Sequence, residues 1–356
     1  MSKIRVLIVD DSAYSRQTIK KMLETDPHVE VAGVSADGLD AMSKTIRLKP
    51  DLITLDLEMP EMDGFTFLRW LMKTRPTPVI IVSSFSDSKT VFKALELGAA
   101  DFITKPPKIS SPEYQNMVRD LLNKVKGMKS LRLDRLSKNL GLSEYEEPKQ
   151  FTAGMTDFNI EAVAIGASTG GPSALNIILT KLPADFPAGI AISQHMPKGF
   201  TASFAERLNG ICKIRIKEAQ EGDELEIGTA LICPGGYHLV FRKKGKRAVA
   251  VLRDPKSSDR YVPSVDAMMS SIADIYEKKS MGIVLTGMGN DGAAGMLDIQ
   301  KVGGYTIVES EETAVVFGMP SEVIKAGAAR KILPVSEIPD EVVRFIKRTG
   351  KKRIDL

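Results

Sequence analysis

A glycine-rich turn at residues 166–171, Gly-Ala-Ser-Thr-Gly-Gly, carries the first side chain that could do chemistry. It follows the apolar run 162–165 and precedes apolar residues at helical spacing, which predicts a strand, a tight turn and a helix. Ser168 would lie at the end of the strand, beside helix N–H groups that favour negative charge. It also matches the G-x-S-x-G pattern of nucleophilic serines. From this stretch alone, a phosphate-binding loop or a close-packed turn is favoured over a nucleophile.

Two other polar residues follow apolar runs in a similar way. His195 follows the run 189–193, and Asp291 follows the run 282–285 after a short turn. Because the carboxyl ends of parallel strands meet at one edge of a sheet, Ser168, His195 and Asp291 can converge as a nucleophilic triad. The histidine would take the serine proton, and the acid would hold the imidazole. Each residue alone fits a turn or a helix cap, but together they favour the triad.

The order of the three residues along the chain also carries information. Serine, histidine, acid differs from the order serine, acid, histidine of the α/β-hydrolases, which argues against that fold. Backbone N–H groups near Thr169 and Met288 are the candidate donors to a developing oxyanion. His238 lies in a predicted strand and is expected to pack rather than to react.

The first third of the chain has a second set of polar residues that follow predicted strands. They are Asp10, Asp11, Asp56, Ser83 and Lys105. Three carboxylates on one rim repel one another unless a hard divalent cation such as Mg²⁺ lies among them. With a lysine and a hydroxyl, the set suits phosphoryl transfer onto a carboxylate. Taken singly, the two adjacent aspartates fit a solvated turn and the lysine fits a surface loop.

The elements that must position these residues alternate between strand and helix through most of the chain. This alternation predicts an α/β fold with two doubly wound parallel-sheet domains, the first flavodoxin-like and the second Rossmann-like. The runs 230–233, 238–241 and 248–252 are expected to form antiparallel hairpins in the second domain. We place the domains at residues 1–122 and 159–347, with a linker at 123–158 and a basic tail at 348–356.

Composition argues against several classes of function. A length of 356 residues is expected to form two domains, and a net charge of +4 is too small to suggest nucleic-acid binding. The 2 cysteines lack metal-ligand spacing and fit a reduced, cytoplasmic compartment. No apolar run reaches the length of a membrane span, so we expect no membrane insertion, and we expect a monomer.

The segment 56–64, Asp-Leu-Glu-Met-Pro-Glu-Met-Asp-Gly, resembles the phosphorylation motif of response-regulator receiver domains. The resemblance covers about a third of the chain and implies that Asp56 is phosphorylated by a histidine kinase. It implies a Mg²⁺ site formed by Asp10, Asp11, Asp56 and the backbone carbonyl of Glu58. It also implies a switch set of Ser83, Lys105 and the aromatic Phe102, although packing alone would equally explain the phenylalanine.

Three segments resemble the chemotaxis protein-glutamate methylesterase family: residues 165–171, 194–197 and 286–292. A receiver domain placed in front is that family's arrangement, so the resemblance covers nearly the whole chain. It implies hydrolysis of γ-glutamyl methyl esters on chemoreceptors, with release of methanol, and deamidation of receptor glutamines. It implies a chemotaxis histidine kinase as phosphodonor and no cofactor for the esterase.

Regulation and two alternative functions complete the expectations from sequence. We expect the unphosphorylated receiver to restrict access to Ser168 and phosphorylation at Asp56 to relieve the restriction. The second domain could instead be a non-catalytic output module whose glycine-rich turn binds a nucleotide or a partner. It could also be a hydrolase that acts on another ester or amide.

Overall fold

The computed structural model describes residues 3–84, 88–105, 111, 113–128, 159–245 and 247–345. The described elements form two compact units, one built from the elements up to Met128 and the other from the elements that begin at Ala162. The predicted linker lies outside the described residues from position 129 to 158, and the predicted basic tail lies outside them entirely. The domain boundaries remain predictions.

The first unit is a five-stranded parallel sheet with interleaved helices. Its elements are β1 (Ile4–Val9), α1 (Ala13–Glu24), β2 (Val29–Ser35), α2 (Gly38–Leu48), β3 (Leu52–Asp56), α3 (Gly64–Thr74), β4 (Val79–Ser83), α4 (Ser88–Glu96), β5 (Asp101–Thr104) and α5 (Glu113–Met128). The strand order is β2-β1-β3-β4-β5, and every pair is parallel. The chain reverses direction across the sheet between β1 and β3, which is where a doubly wound fold opens a crevice for a ligand.

The second unit contains a seven-stranded parallel sheet and a separate antiparallel hairpin. Its elements are β6 (Ala162–Ala167), α6 (Gly171–Thr180), β7 (Gly189–Gln194), α7 (Thr201–Ile211), β8 (Arg215–Glu218), β9 (Thr229–Ile232), β10 (His238–Lys244), β11 (Arg247–Arg253), α8 (Val265–Tyr276), β12 (Ser280–Val284), α9 (Ala293–Lys301), β13 (Tyr305–Glu309), α10 (Met319–Lys325), β14 (Lys331–Leu333) and α11 (Ile338–Phe345). The order is β14-β13-β12-β6-β7-β9-β8, with β10 paired to β11.

This architecture confirms the predicted α/β class with two parallel sheets, and it corrects one part of the hairpin prediction. The run 230–233 does not enter a hairpin, because β9 lies inside the sheet, parallel to β7 and β8. Every residue of β9 is buried, so the strand has no polar face to turn to solvent. The hairpin consists of the other two runs, in β10 and β11.

The reversal of the second sheet lies at its central strand, β6. From β6 the chain first builds β7, β8 and β9 on one side and then returns to build β12, β13 and β14 on the other. The carboxyl ends of β6, β7 and β12 are therefore adjacent at the switch point. Three of the predicted site residues follow these strands.

Gly166 explains how a helix can approach the end of the central strand. A β-carbon at this position would lie 2.2 Å from Cγ1 of Val265, the first residue of α8. The missing side chain lets the first turn of α8 pack directly on β6. Among the helices that the structure describes, none is long and apolar enough to cross a membrane.

Candidate active site

Ser168 lies in the turn between β6 and α6, where backbone contacts fix its position. Its N–H donates to the carbonyl of Thr286 at 3.0 Å, and its carbonyl accepts from Gly171 N at 2.8 Å. The amide of Gln194 donates to the same carbonyl at 2.9 Å and to the carbonyl of His195 at 3.1 Å. One glutamine side chain thus holds the serine turn and the end of β7 together, while Ser168 remains partly exposed.

His195 and Asp291 form a hydrogen-bonded pair at the same rim. Nε2 of His195 lies 2.8 Å from Oδ2 of Asp291, and the two side chains are 14% and 1% exposed. An ionised carboxylate can only accept, so Nε2 carries the proton and Nδ1 is left as the basic nitrogen.

The β6–β7 register places Ser168 next to this pair. It pairs Ala167 with Gln194, so the two residues that follow, Ser168 and His195, leave the sheet side by side. Within the described ranges, no hydrogen bond joins Oγ of Ser168 to His195. Such contacts often tighten only when substrate is bound. The three predicted residues therefore lie at one switch point. Of the two hydrogen bonds that a triad would need, the one between His195 and Asp291 is present.

The carboxylate of Asp291 lies at the N-terminus of α8. Oδ2 accepts from Val265 N at 2.7 Å, and Oδ1 accepts from Asp266 N at 2.9 Å. The hydroxyl of Ser264, the N-cap of α8, contacts Oδ1 at 3.2 Å. Burial alone would raise the pKa of Asp291, but His195 and the two backbone N–H groups outweigh it and hold the pKa below the ordinary value. Asp291 is thus kept ionised although it is almost completely buried.

The sequence interpretation missed Tyr261, which covers one face of the histidine. The rings of Tyr261 and His195 are parallel within 3°, with centroids 5.2 Å apart. The tyrosine hydroxyl donates to Oδ1 of Asn290 at 3.1 Å and lies 3.3 Å from its backbone N. This stacking restrains the imidazole in the plane that lets it reach Asp291. No spacing in the sequence connects position 261 to position 195.

His238 does more than the packing role expected for it. It is 8% exposed, and its Nε2 lies 2.9 Å from Oδ2 of Asp259. Its Nδ1 accepts from the backbone N of Ser264 at 3.0 Å. Both ring nitrogens are therefore occupied, and the residue holds the N-cap that in turn contacts Asp291. A cleft of about 310 Å³ opens beside His238, and both Tyr261 and Asp291 line it.

The loop after β12 packs against Ser168 and carries one of the two candidate oxyanion donors, Met288. The hydroxyl of Thr286 donates to the carbonyl of Thr169 at 2.9 Å. A β-carbon on Gly287 would lie 2.8 Å from Cβ of Ser168, so only glycine allows this approach. Met288 follows directly. The role of the N–H groups of Thr169 and Met288 remains a prediction.

A buried carboxylate that the sequence did not single out anchors this loop. Glu309, at the end of β13, is fully buried. Its Oε2 accepts from Thr286 N at 2.7 Å and its Oε1 accepts from the hydroxyl of Thr313 at 2.9 Å. Both carboxylate oxygens are therefore hydrogen-bonded, and the loop beside Ser168 is fixed to a neighbouring strand.

In the first unit, three aspartates gather at the switch point of the sheet. Asp10, Asp11 and Asp56 each offer a carboxylate oxygen, and these oxygens lie within 4.8 Å of one another. Asp10 and Asp56 are buried, whereas Asp11 is exposed. Burial raises the pKa of Asp10 and of Asp56 above the ordinary value, and repulsion between the carboxylates adds to it. An all-oxygen set of this charge is what a hard divalent cation prefers.

The other predicted residues of this unit surround Asp56. Lys105 donates to Oδ2 of Asp56 at 2.7 Å, and the backbone N of Glu58 donates to Oδ1 at 3.2 Å. Ser83 is buried at the end of β4. Phe102 is buried and meets Phe92 edge to face at 6.5 Å, which is a packing arrangement. Lys105 therefore contacts Asp56 directly, and the roles of Lys105, Ser83 and Phe102 in phosphorylation and switching remain predictions.

The two units together define a class of protein: a receiver-type domain followed by an α/β domain with a His–Asp pair at its switch point. Family models agree with both halves. The response regulator receiver domain matches residues 6–113, and CheB methylesterase matches residues 163–342. The chain therefore belongs to the CheB methylesterase family, with a receiver domain in front of the family domain.

Individual relatives cover nearly the whole chain. A protein-glutamate methylesterase/protein-glutamine glutaminase 3 of Geobacter sulfurreducens is 48% identical, over 97% of this chain and 98% of its own length. A protein of the same activity name from Carboxydothermus hydrogenoformans is 44% identical, over 98% of this chain and 100% of its own. The crystal structure of the Thermotoga maritima CheB methylesterase catalytic domain is 39% identical, covers 53% of this chain and all of that one, and has a TM-score of 0.52.

The hydrogen bonds to Asp291 predict a loss of stability when its charge is removed. We expect Asp291→Asn to lower the free energy of unfolding of the second unit by about 1–3 kcal/mol at pH 7. Because folding lowers the pKa of Asp291, its stabilisation is complete above the unfolded pKa and is lost as the pH falls through the folded pKa. The deficit should therefore persist down to about pH 4 and shrink below it.

Hydrogen exchange of peptides from the second unit measures this difference, since the single tryptophan, Trp70, reports only on the first unit. Asp298→Asn is a matched control, because this more exposed carboxylate joins α9 to Ser270 of α8 and pairs with Lys301 on its own helix. Equal protection in Asp291→Asn and the wild-type protein at pH 7 would show that Asp291 is not held as described.

Proposed function

We propose that this protein hydrolyses γ-glutamyl methyl esters of chemoreceptors and deamidates receptor glutamines, and that phosphorylation at Asp56 activates it. The observation that carries the proposal is the 2.8 Å hydrogen bond between His195 and Asp291 beside Ser168 at the switch point of the sheet. The activity names of relatives with 48% and 44% identity support the choice of substrate.

In the acylation step, Oγ of Ser168 attacks the ester carbonyl carbon while Nδ1 of His195 takes its proton. Asp291 stabilises the imidazolium through Nε2. The N–H groups of Thr169 and Met288 donate to the carbonyl oxygen as it gains negative charge. When the tetrahedral intermediate collapses, the bond to the methoxy group breaks, and the imidazolium gives its proton to the departing oxygen. Methanol leaves, and the glutamyl group remains bound to Ser168 as an ester.

The deacylation step reverses these roles with water. Neutral His195 takes a proton from a water molecule, which attacks the acyl carbon. The bond to Ser168 breaks, the serine recovers its proton from the histidine, and a glutamate carboxylate is released. With a glutamine substrate the same sequence expels ammonia in place of methanol. No cofactor is needed for either reaction.

The acidic cluster of the first unit suits Mg²⁺, which would be held by Asp10, Asp11, Asp56 and the carbonyl of Glu58. The fit rests on three carboxylate oxygens within 4.8 Å of one another. When bound, the ion offsets negative charge on a phosphoryl group.

The chain's own groups contribute separately. Asp56 accepts the phosphoryl group from a histidine kinase, and Lys105, 2.7 Å from its carboxylate, neutralises charge. Ser83 and Phe102 are the proposed switch residues.

The triad predicts that Ser168→Ala abolishes methanol release from methylated receptor membranes. His195→Gln should lower the rate by at least about 1000-fold, since no base remains for either step. Headspace measurement of methanol follows the reaction directly. Asp298→Asn serves as a control for effects of charge loss elsewhere in the unit.

Two results would revise this proposal in different ways. Methanol release that persists in Ser168→Ala would remove the serine mechanism. A wild-type protein that releases no methanol but forms an adduct at Ser168 with a serine-directed phosphonate would point to a hydrolase with another substrate. A serine that does not react would favour a binding module.

Phosphorylation of the receiver predicts a rise in activity that depends on Asp56. An acyl phosphate with Mg²⁺ should increase methanol release from the wild-type protein several-fold, in the range of ordinary coupling between two sites. The increase should be absent in Asp56→Ala and absent when Mg²⁺ is removed with a chelator. Activity that needs Ser168 but ignores the phosphodonor would leave the esterase in place and contradict its regulation by this receiver.

A further inference from the structure

In the second unit, N–H groups at the start of α8 and at the start of α9 are each bonded to a carboxylate that lies at the start of the other helix. Asp291, which lies just before α9, accepts from the first two N–H groups of α8. Asp266, the second residue of α8, accepts from Gly292 N at 2.9 Å and from Gly295 N at 2.7 Å at the start of α9. Each carboxylate therefore accepts from N–H groups that have no acceptor within their own helix.

This exchange fixes the loop that carries the catalytic acid. The two N–H groups bonded to Asp266 belong to the residue that follows Asp291 and to the first turn of α9. Gly292 has a φ of 97°, which favours glycine, and a β-carbon on Gly295 would lie 2.6 Å from Cβ of Met269. The loop can therefore turn sharply and pack against α8, and Asp266 holds it there from the other side.

The exchange also brings two carboxylates together in a half-buried place. Burial and the negative charge of Asp291 raise the pKa of Asp266 to about 6, and its protonated form can donate a hydrogen bond to Asp291. Asp291 keeps the lower pKa because it has His195 and two backbone donors. Near pH 6 Asp266 therefore changes charge while Asp291 stays ionised.

The other charged groups near Asp266 are either bonded to partners of their own or exposed to solvent. His238 and Asp259, which line the same cleft as Asp266, form their own pair. Tyr261 also lines this cleft, and its hydroxyl is bonded to Asn290. The remaining charged residues of the lining are exposed: Arg253, Asp254, Lys256 and Arg260. On α9, Asp298 is bonded to Ser270 and Lys301.

We propose that Asp266 is a positioning residue for the esterase, which fastens the Asp291 loop to α8 and supplies a second negative charge behind the Asp291–His195 pair. Its effect on the reaction passes through Asp291 and His195, because its carboxylate is bonded to the N–H groups of the Asp291 loop. The second charge favours the imidazolium that forms in each proton transfer. The inference rests on the proposed esterase function for its kinetic consequence only.

Asp266→Asn separates the charge of this residue from its hydrogen bonds. The asparagine oxygen can still accept from the two glycine N–H groups, and its NH₂ can donate to Asp291 as the protonated acid does. The variant thus imitates the low-pH form at every pH. We expect the acid limb of the kcat/KM profile for methanol release to move to lower pH by about 0.5–1 unit, because the imidazolium is less favoured.

A purely structural role would give another pattern. Loss of packing or capping alone would lower kcat/KM at all pH values without moving the limb, whereas Asp266→Ala, which removes both the charge and the acceptor, should lower kcat/KM and also move the limb. Asp298→Asn, which removes a carboxylate between the same two helices away from the triad, should leave the position of the limb unchanged. A limb in Asp266→Asn that coincides with that of the wild-type protein would overturn the proposal.

A second measurement needs no substrate. The chain has 3 histidines, so the imidazole signals of His195 can be resolved by NMR and assigned with His195→Gln. In the full-length wild-type protein we expect the His195 signals to change near pH 6, where Asp266 takes up its proton, and we expect this change to be absent in Asp266→Asn. Signals that behave alike in the two proteins would overturn the proposal. A change near pH 6 that depends on Asp266, in a protein that releases no methanol, would retain the Asp266 coupling and reject the esterase function instead.

Discussion

The structure of the second unit depends on keeping one buried carboxylate charged. Asp291 has an exposed side-chain fraction of 1%, and an isolated carboxylate in such a place would take up a proton. The first turn of α8 and the imidazole of His195 prevent this by donating to both of its oxygens. The glycine at position 166 is needed so that α8 can come close enough to β6. His238, which holds Ser264, and Asn290, which holds Tyr261, support the same Asp291–His195 pair.

Both units use the same consequence of parallel sheets. Strands that run in one direction end at one rim, and the rim opens where the chain reverses across the sheet. In the first unit this point gathers the oxygens of three aspartates, and in the second it gathers Ser168, His195 and Asp291. The two sites differ in how charge is met. The site of the first unit has three carboxylates, and Lys105 is bonded to one of these, Asp56. In the second unit, each buried acid is surrounded by N–H and hydroxyl donors.

The sequence predicted the parts of the site that follow apolar strands, because strand ends can be read from local hydrophobicity. Ser168, His195 and Asp291 are predicted in this way, as are Asp10, Asp11 and Asp56, and their roles remain proposals. Tyr261, Asp266 and Glu309 are not predicted, because their roles come from contacts between residues distant in the chain. The misplacement of the run 230–233 has a related cause: an apolar run of four residues fits a hairpin or an interior strand equally well. Only its pairing with β7 and β8 decides between them.

The rate at which a fluorophosphonate modifies Ser168 tests most directly whether Asp291 and His195 activate this serine. The reagent needs no receptor, and peptide mass spectrometry locates the adduct. We expect one adduct, on Ser168, formed at least about 100-fold more slowly in Asp291→Asn, because the imidazole loses its fixed tautomer and its counter-charge. Labelling of Ser168 at the same rate in wild type, Asp291→Asn and His195→Gln would contradict the triad, and so would a wild-type protein in which Ser168 does not react.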